Sequence, residues 1–99
     1  MVVGVALIEI QVHGSRSLKE KRGVVRSIAA RVRQRFNLSV TEVGGQGTWQ
    51  RAVIGLSTLG NDGGTVRRVL DRAVSYVEEL HLGEVTSSDV ELLALPFEE

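Results

Sequence analysis

The 99-residue sequence predicts an α+β domain in which two helices pack on one face of a four-stranded antiparallel sheet. Three observations support this prediction. Two segments carry apolar residues at helical spacing, four others are rich in β-forming residues, and the six follow one another in the order β-α-β-β-α-β. A chain of this size with 42% hydrophobic residues can bury one core, so we expect a single domain spanning residues 1–99.

The N-terminal segment predicts a central strand followed by a helix. From Val2 to Val12 apolar residues occupy both alternating faces, which is typical of a strand covered on each side. Ser17 and Glu20 have the spacing of a capping box, so a helix should run from Leu18 to about Phe36. Its apolar residues share one face at helical spacing: Leu18, Val25, Ile28, Ala29, Val32 and Phe36.

The rest of the chain supplies the remaining four elements. β-forming residues predict strands at 38–43 and 49–59, joined by a glycine-rich hairpin loop, GGQGT. The segment GNDGG should cap a second helix over residues 65–80, which Gly83 should end. A last strand is predicted over 85–95. This order of elements predicts the ferredoxin-like, split βαβ arrangement, with strand order 4-1-3-2 and both helices on one face.

The second face of the sheet should then be exposed. In a two-layer domain no helix covers it, so Val3, Val5 and Leu7 would form an apolar patch of the kind that marks an interface. We expect a second copy of the chain to cover this patch, giving a homodimer packed sheet to sheet. The alternative is that strand twist and the C-terminal LPFEE segment of the same chain cover it.

The composition excludes several kinds of chemistry. The chain has no cysteine, which excludes disulfides, thiolate metal sites and cysteine nucleophiles. No residues have the spacing of a metal site, a phosphate-binding P-loop or a nucleophile–base pair, so we expect no metal, no cofactor and no catalytic residue. Glu9 interrupts the apolar N-terminal run before it reaches the length of a signal sequence or membrane span. We therefore expect a cytoplasmic protein without a membrane partner.

Positive charge is concentrated in the first predicted helix, although the formal net charge is zero. Residues 16–35 contain eight of the twelve cations and one acid, whereas residues 78–99 contain seven acids and no Lys or Arg. At about 100° per residue, one flank of the helix carries Lys19, Arg22, Arg26 and Arg33. Guanidinium groups bind phosphates bidentately, so this flank, extended by Arg16, predicts contact with a nucleic-acid backbone.

An alternative is that carboxylates of the same chain neutralise this flank. The two predicted helices are antiparallel, so Glu78 and Glu79 should lie near the start of the first helix, beside Lys19 and Arg22. Surface ion pairs contribute only about 0 to 1 kcal/mol each, but they would reduce the free positive potential.

Trp49 and Arg51 are candidate auxiliary contacts after the glycine-rich loop. On a mobile tip they could stack on a base or anchor a partner; otherwise Trp49 packs at the edge of the core. The first strand has no aromatic residue, so RNA binding on the sheet face is not predicted.

Three stretches carry a family resemblance: SLKEKRGVVRSI, RFNLSVTEV and TWQRAVIGLSTLGND. They resemble the small bacterial YlxP-like family, a domain of unknown function. The resemblance implies a compact α/β domain often encoded beside translation-initiation and ribosome-maturation factors, with no established enzymatic activity.

Taken together, these features predict a non-enzymatic protein that contacts RNA or a ribosome-associated protein through its basic first helix. One alternative is an interaction or small-molecule regulatory module, for which Gly44, Gly45 and Gly47 would allow close approach of a ligand. The other is an acylphosphatase-like enzyme, since VHGSR follows the first strand as a phosphate loop would. The Gly-Val-x-x-Arg continuation of that family is missing.

Overall fold

A computed structural model describes residues 1–97 of the chain. Its helices are α1 (Leu18–Arg35) and α2 (Gly63–Leu80), and its strands are β1 (Val2–Gln11), β2 (Ser39–Gly44), β3 (Arg51–Gly60) and β4 (Glu84–Ala94). Neighbouring strands are antiparallel in the order β2-β3-β1-β4, which is 4-1-3-2 counted from the other edge. The predicted ferredoxin-like α+β fold is therefore confirmed.

The core lies between the sheet and the two helices. Alternate residues of β1 point into it, and Ile8 and Ile10 are fully buried. Leu70 of α2 and Val32 of α1 are equally inaccessible, because each helix turns one apolar stripe toward the sheet. Neither helix of residues 1–97 combines the length and apolar character needed to span a bilayer.

Both helices are capped by the predicted segments, although α2 begins at Gly63, two residues before its predicted start. The Ser17 hydroxyl accepts a hydrogen bond from the Glu20 N–H at 3.1 Å, while the Glu20 carboxylate accepts from the N–H of Arg16, one residue earlier than a capping box requires. At α2, Asp62 Oδ2 accepts from the Thr65 N–H at 2.9 Å and from its hydroxyl at 2.8 Å. The prediction that GNDGG caps this helix is thus confirmed.

Helix α2 ends at Leu80, as predicted, but the residue that caps it is not Gly83. His81, with φ of 52°, supplies the left-handed C-cap, so the helix ends before Gly83. Gly83 is needed for a different reason, because a Cβ there would lie 2.5 Å from Cγ2 of Ile10. It allows the start of β4 to pack closely on β1.

The face of the sheet opposite the helices is open in the single chain. Val5 and Leu7 are 46% and 49% exposed, and Val3 beside them is half-buried. The C-terminal segment does not cover them, since Leu95 and Phe97 are themselves 46% and 72% exposed. The last two residues of the LPFEE segment lie outside the described part of the chain.

Candidate nucleic-acid interface

A groove separates α1 from the edge strand β2. Its volume is about 540 Å³, and three arginines of α1 line it: Arg22, Arg26 and Arg33. Its floor is apolar and includes Val25, Ala29 and Ile54. We call it the α1–β2 groove. The predicted flank of α1 therefore faces a concave surface.

Helical geometry explains why these three side chains meet. Positions 22, 26 and 33 differ by four and seven residues, which returns each to nearly the same side of a helix with 3.6 residues per turn. The same spacing places them next to the buried face that carries Val25 and Ala29. The long alkyl stems can therefore lie along apolar surface while the guanidinium groups remain in water.

The charged groups of the predicted cations in and before α1 have no carboxylate within 4.0 Å in residues 1–97: Arg16, Lys19, Arg22, Arg26 and Arg33. The expected alternative, in which Glu78 and Glu79 pair with the start of α1, does not occur among these residues. Their hydrogen bonds are to backbone, with Arg26 Nε donating to the Arg22 carbonyl at 3.3 Å.

Arg33 has a structural contact as well. Its guanidinium donates to the Val40 carbonyl of β2 at 2.5 Å. Gln46 similarly donates to the Glu42 carbonyl at 3.4 Å. Both side chains thus satisfy acceptors on the edge strand of the sheet, where backbone groups lack a neighbouring strand. Arg22 and Arg26 are the groove arginines without such a bond to β2.

Lys21 is a key residue that the sequence analysis did not single out. Its side chain is fully buried, unlike the exposed Lys19 two residues earlier. Its ammonium group donates to the carbonyls of Gly45 and, at 3.1 Å, Arg51. The helical spacing of Lys21, Val25, Ile28 and Val32 was the available signal, because it places the lysine on the core face.

Glu42 is the acidic residue of the groove, and Lys21 faces it. The Lys21 Nζ lies 3.3 Å from Glu42 Oε2, a buried oxygen that makes no aligned hydrogen bond. Because the Lys21 ammonium group neutralises the Glu42 carboxylate at this distance, the carboxylate does not cancel the charge of the arginines on the opposite wall. The groove keeps a net positive charge.

Trp49 lies in the loop before β3, next to a residue that bonds to the end of β1. It is 55% exposed, which excludes tight packing at the edge of the core. The next residue, Gln50, accepts from the Val12 N–H at 2.8 Å and donates from its side chain to the Ser15 carbonyl at 3.2 Å. These bonds place the Trp49 segment beside the loop that carries Arg16.

Arg51 lies apart from the other candidate residues. Its Nε donates to Glu9 Oε1 at 2.8 Å on the open face of the sheet. This hydrogen bond, together with the charge of Glu9, raises the pKa of the guanidinium. The structure therefore places Lys19, Arg22, Arg26 and Arg33 along α1 and Arg16 just before it, whereas Arg51 lies on the opposite face of the sheet.

A second basic groove lies between the end of α1 and α2. It measures about 460 Å³ and is lined by Arg35, Arg68 and Arg72, together with Asp71 and Glu79. Arg35 stacks over the Tyr76 ring at 4.8 Å from its centroid, and Phe36 packs edge-on against the same ring at 5.7 Å. The arginines of α2 were not predicted as part of a basic surface, because they lie on the polar side of this amphipathic helix.

Comparison with known proteins finds relatives that match most of the chain. A family model described as "Protein of unknown function (DUF503)" matches residues 3–90. The chain is 34% identical over 77 residues to the uncharacterized protein YlxP of Bacillus subtilis (strain 168), an alignment that covers 78% of this chain and 84% of that protein.

Two solved structures have similar backbones. One is a de novo designed protein, Foldit4, with a TM-score of 0.47, 18% identity and 98% of each chain covered. The other is a point mutant of SnoaB, a cofactor-independent oxygenase from Streptomyces nogalater, with a TM-score of 0.49 and 15% identity over 97% of this chain and 95% of that one. Likenesses at this level carry no argument about function.

The family match spans most of the chain, including both helices and the segments that resemble YlxP-like proteins. The chain belongs to the DUF503 family, whose function is unknown.

Proposed function

We propose that this protein binds structured RNA, without catalysis, through the basic flank of α1. The observation that carries the proposal is the α1–β2 groove, in which the guanidinium groups of Arg22 and Arg26 have no carboxylate within 4.0 Å in residues 1–97. Arg16 and Lys19 extend the same positive surface toward the start of the helix.

Phosphate groups are the ligand chemistry that fits this surface. Arginine offers paired donors that match phosphate oxygens, and neutralising several phosphates releases condensed counterions. The groove arginines contact backbone or solvent, and no aromatic residue lines the groove. Recognition should therefore depend on the shape of the RNA backbone more than on base identity.

The translation machinery is the setting we propose for this RNA. The resemblance to YlxP-like proteins supports it, since their genes often lie beside those of translation-initiation and ribosome-maturation factors. A ribosomal RNA or a ribosome-assembly intermediate would provide the folded polyanion, and a cytoplasmic location follows from that partner.

The local geometry favours binding over acyl-phosphate hydrolysis. Asp62 is occupied as the N-cap of α2, and Ser15 is buried with its hydroxyl donating to the Ser17 carbonyl at 3.1 Å. His13 lies 3.6 Å from Glu84 on the surface. Each of these groups has a structural role or a partner that accounts for it.

The proposal is tested by measuring affinity for an RNA stem-loop at several salt concentrations. Arg26→Glu should weaken binding about tenfold or more. The plot of log association constant against log salt concentration should become less steep by about one, because one phosphate contact is lost. Arg31→Glu is the matched control. It makes the same charge change on an exposed position of the same helix, but on the flank away from the groove.

Two outcomes would contradict the proposal. The first is equal loss of affinity in both variants, which would indicate general charge attraction with no defined surface. The second is affinity that does not change with salt. Thermal melting of each variant controls for folding; Arg33 is left out of this test because its bond to Val40 stabilises β2.

A further inference from the structure

We propose that the open face of the sheet binds a second copy of this chain in a twofold dimer. In this dimer, Leu7 of each copy enters a depression above Gly55 of the other. The inference is independent of RNA binding, because it concerns the face of the sheet opposite the helices.

The open face has the surface expected of an interface centre. Leu7 and Val5 are about half exposed, and Leu59 and Leu93 on the flanking strands are 65% and 60% exposed. Register places Val3 beside both leucines, since it pairs with Leu59 on one side and Leu93 on the other. Contiguous apolar residues on a monomer's surface are uncommon unless another molecule covers them.

A depression in this face is complementary to the leucine beside it. It measures about 240 Å³, and its lining is mainly apolar, with Val5, Leu7 and Gly55 among the walls. Gly55 contributes no side chain to this surface, and Cγ1 of Val43 lies 3.2 Å from where a Cβ of residue 55 would be, so Val43 borders the depression on one side. Leu7 stands directly across from it, as the pair Leu7–Gly55 in the register of β1 and β3. The open face therefore carries both a protruding leucine and a depression, and the two lie at the same position along the strands.

A twofold axis parallel to the strands makes these features reciprocal. If the axis passes between β1 and β3, it places β1 of each copy over β3 of the other. Leu7 then lies over the partner's Gly55, and the partner's Leu7 lies over Gly55. Packed sheets normally cross at about 30°, which shifts the outer strands but leaves this central pair in contact.

Charge selects this axis over the alternative. Asp89 and Glu91 pair in register with Leu7 and Val5, so they belong to the same open face. With the axis parallel to the strands, they oppose β2 of the partner, whose residues on that face include Ser39 and Thr41. An axis across the strands would instead set the acids of both copies against each other, and like charges in contact are unfavourable.

The area is sufficient for a stable pair. The strands have 10, 6, 10 and 11 residues, and at a rise of about 3.4 Å per residue and a spacing of about 4.8 Å they offer roughly 600 Å² per copy. A dimer would bury about 1,200 Å² in total, which exceeds the roughly 1,000 Å² expected of a biological interface. The described part of the C-terminal segment leaves this area free.

Sedimentation equilibrium of the full chain over a range of micromolar concentrations tests the proposal. Wild-type protein should sediment as a dimer, and Leu7→Lys should weaken association about 30-fold or more, since it places an ammonium group in an apolar contact. Asp89 lies beside residue 7 and can pair with the new lysine in the monomer, so the fold is retained. Ala30→Lys, on the exposed side of α1, is the matched control and should not change association.

Gly55→Ala separates insertion of Leu7 from general apolar contact. The added methyl group should weaken the wild-type dimer, but it should have no further effect when Leu7 is already lysine. A wild-type monomer at all concentrations would overturn the proposal, as would a dimer unaffected by Leu7→Lys. Equal effects of Gly55→Ala in both backgrounds would overturn the seating of Leu7 at Gly55.

Discussion

At the scale of single residues, Lys21 explains why cations are tolerated at the start of α1. The N-terminus of a helix already carries about half a positive charge, so stacking lysines and arginines there is unfavourable. Lys21 offsets this by pairing with Glu42 and donating to the carbonyls of Gly45, just after β2, and Arg51, the first residue of β3. Its three ammonium hydrogens have three acceptors nearby, which is the condition for burying such a group.

Lys21→Met should strongly destabilise the protein. The substitution keeps a long side chain but leaves a buried carboxylate oxygen and two carbonyls without their cation, and breaking a buried pair in this way costs about 3–5 kcal/mol. The free energy of unfolding from urea titration measures the loss. Lys19→Met, two residues away and exposed, should change it by no more than about 0.5 kcal/mol.

The partner residue supplies a further check. If Lys21 acts mainly on Glu42, the double variant Lys21→Met with Glu42→Leu should regain part of the stability, because the unpaired carboxylate is gone. No recovery would assign the effect to the two carbonyls. A stable Lys21→Met single variant would contradict the structural role of this lysine.

At the scale of elements, the N-cap of α2 should stabilise the fold less at low pH than at neutral pH. The Asp62 carboxylate accepts hydrogen bonds from the Thr65 hydroxyl and N–H, and these bonds lower its pKa below the usual 3.8, with a smaller contribution from Arg68. Since the pKa is lower in the folded chain, the stabilisation is fully present above about pH 4 and is lost as pH falls through the folded-state pKa.

Two substitutions at Asp62 separate its charge from its geometry. Asn is an equally good N-cap without a titrating group, so Asp62→Asn should melt near the wild type at neutral pH and show a smaller loss of stability between pH 4 and pH 2. Asp62→Ala should melt several degrees lower at neutral pH, because the cap itself is lost. Identical acid sensitivity in wild type and Asp62→Asn would refute the assignment.

The boundaries of every element could be predicted to within about two residues, because they depend on local chemistry. Caps, glycine-rich loops and alternating apolar residues are all visible within a short window of sequence. The pairing of strands followed from the order of elements. The residue that caps the end of α2 could not be predicted, since a left-handed C-cap at His81, a residue other than glycine, carries little sequence signal.

The candidate site was only partly predictable, because it depends on contacts distant in sequence. The helical wheel placed Arg22, Arg26 and Arg33 on one flank. It could not show that Arg33 donates to β2 or that Arg51, which is close to the loop in sequence, points to the other side of the sheet. Such contacts are set by how strands pair in three dimensions, which a helical wheel does not contain.

At the scale of the whole molecule, charge is divided between the two layers. Every Lys and Arg except Arg51 lies in a helix or directly before one. The open sheet face carries Glu9, Asp89 and Glu91 around its apolar centre. A net charge of zero therefore conceals a basic helical layer and an acidic, apolar sheet face. Under the two proposals made above, the helical layer binds RNA and the sheet face binds a second copy of the chain.

This layout predicts the stoichiometry of an RNA complex if both proposals hold. A dimer packed sheet to sheet turns its two helical layers in opposite directions, so one short duplex cannot contact both. Wild-type protein saturated with a short RNA stem-loop should form a complex of two chains and two RNA molecules, as measured by sedimentation velocity. Leu7→Lys should instead give one chain with one RNA, at an affinity per site within about threefold of the wild type, because the two faces are independent. A complex of two chains on one stem-loop would contradict the outward placement of the helices, since it would require α1 of both copies to face the same side.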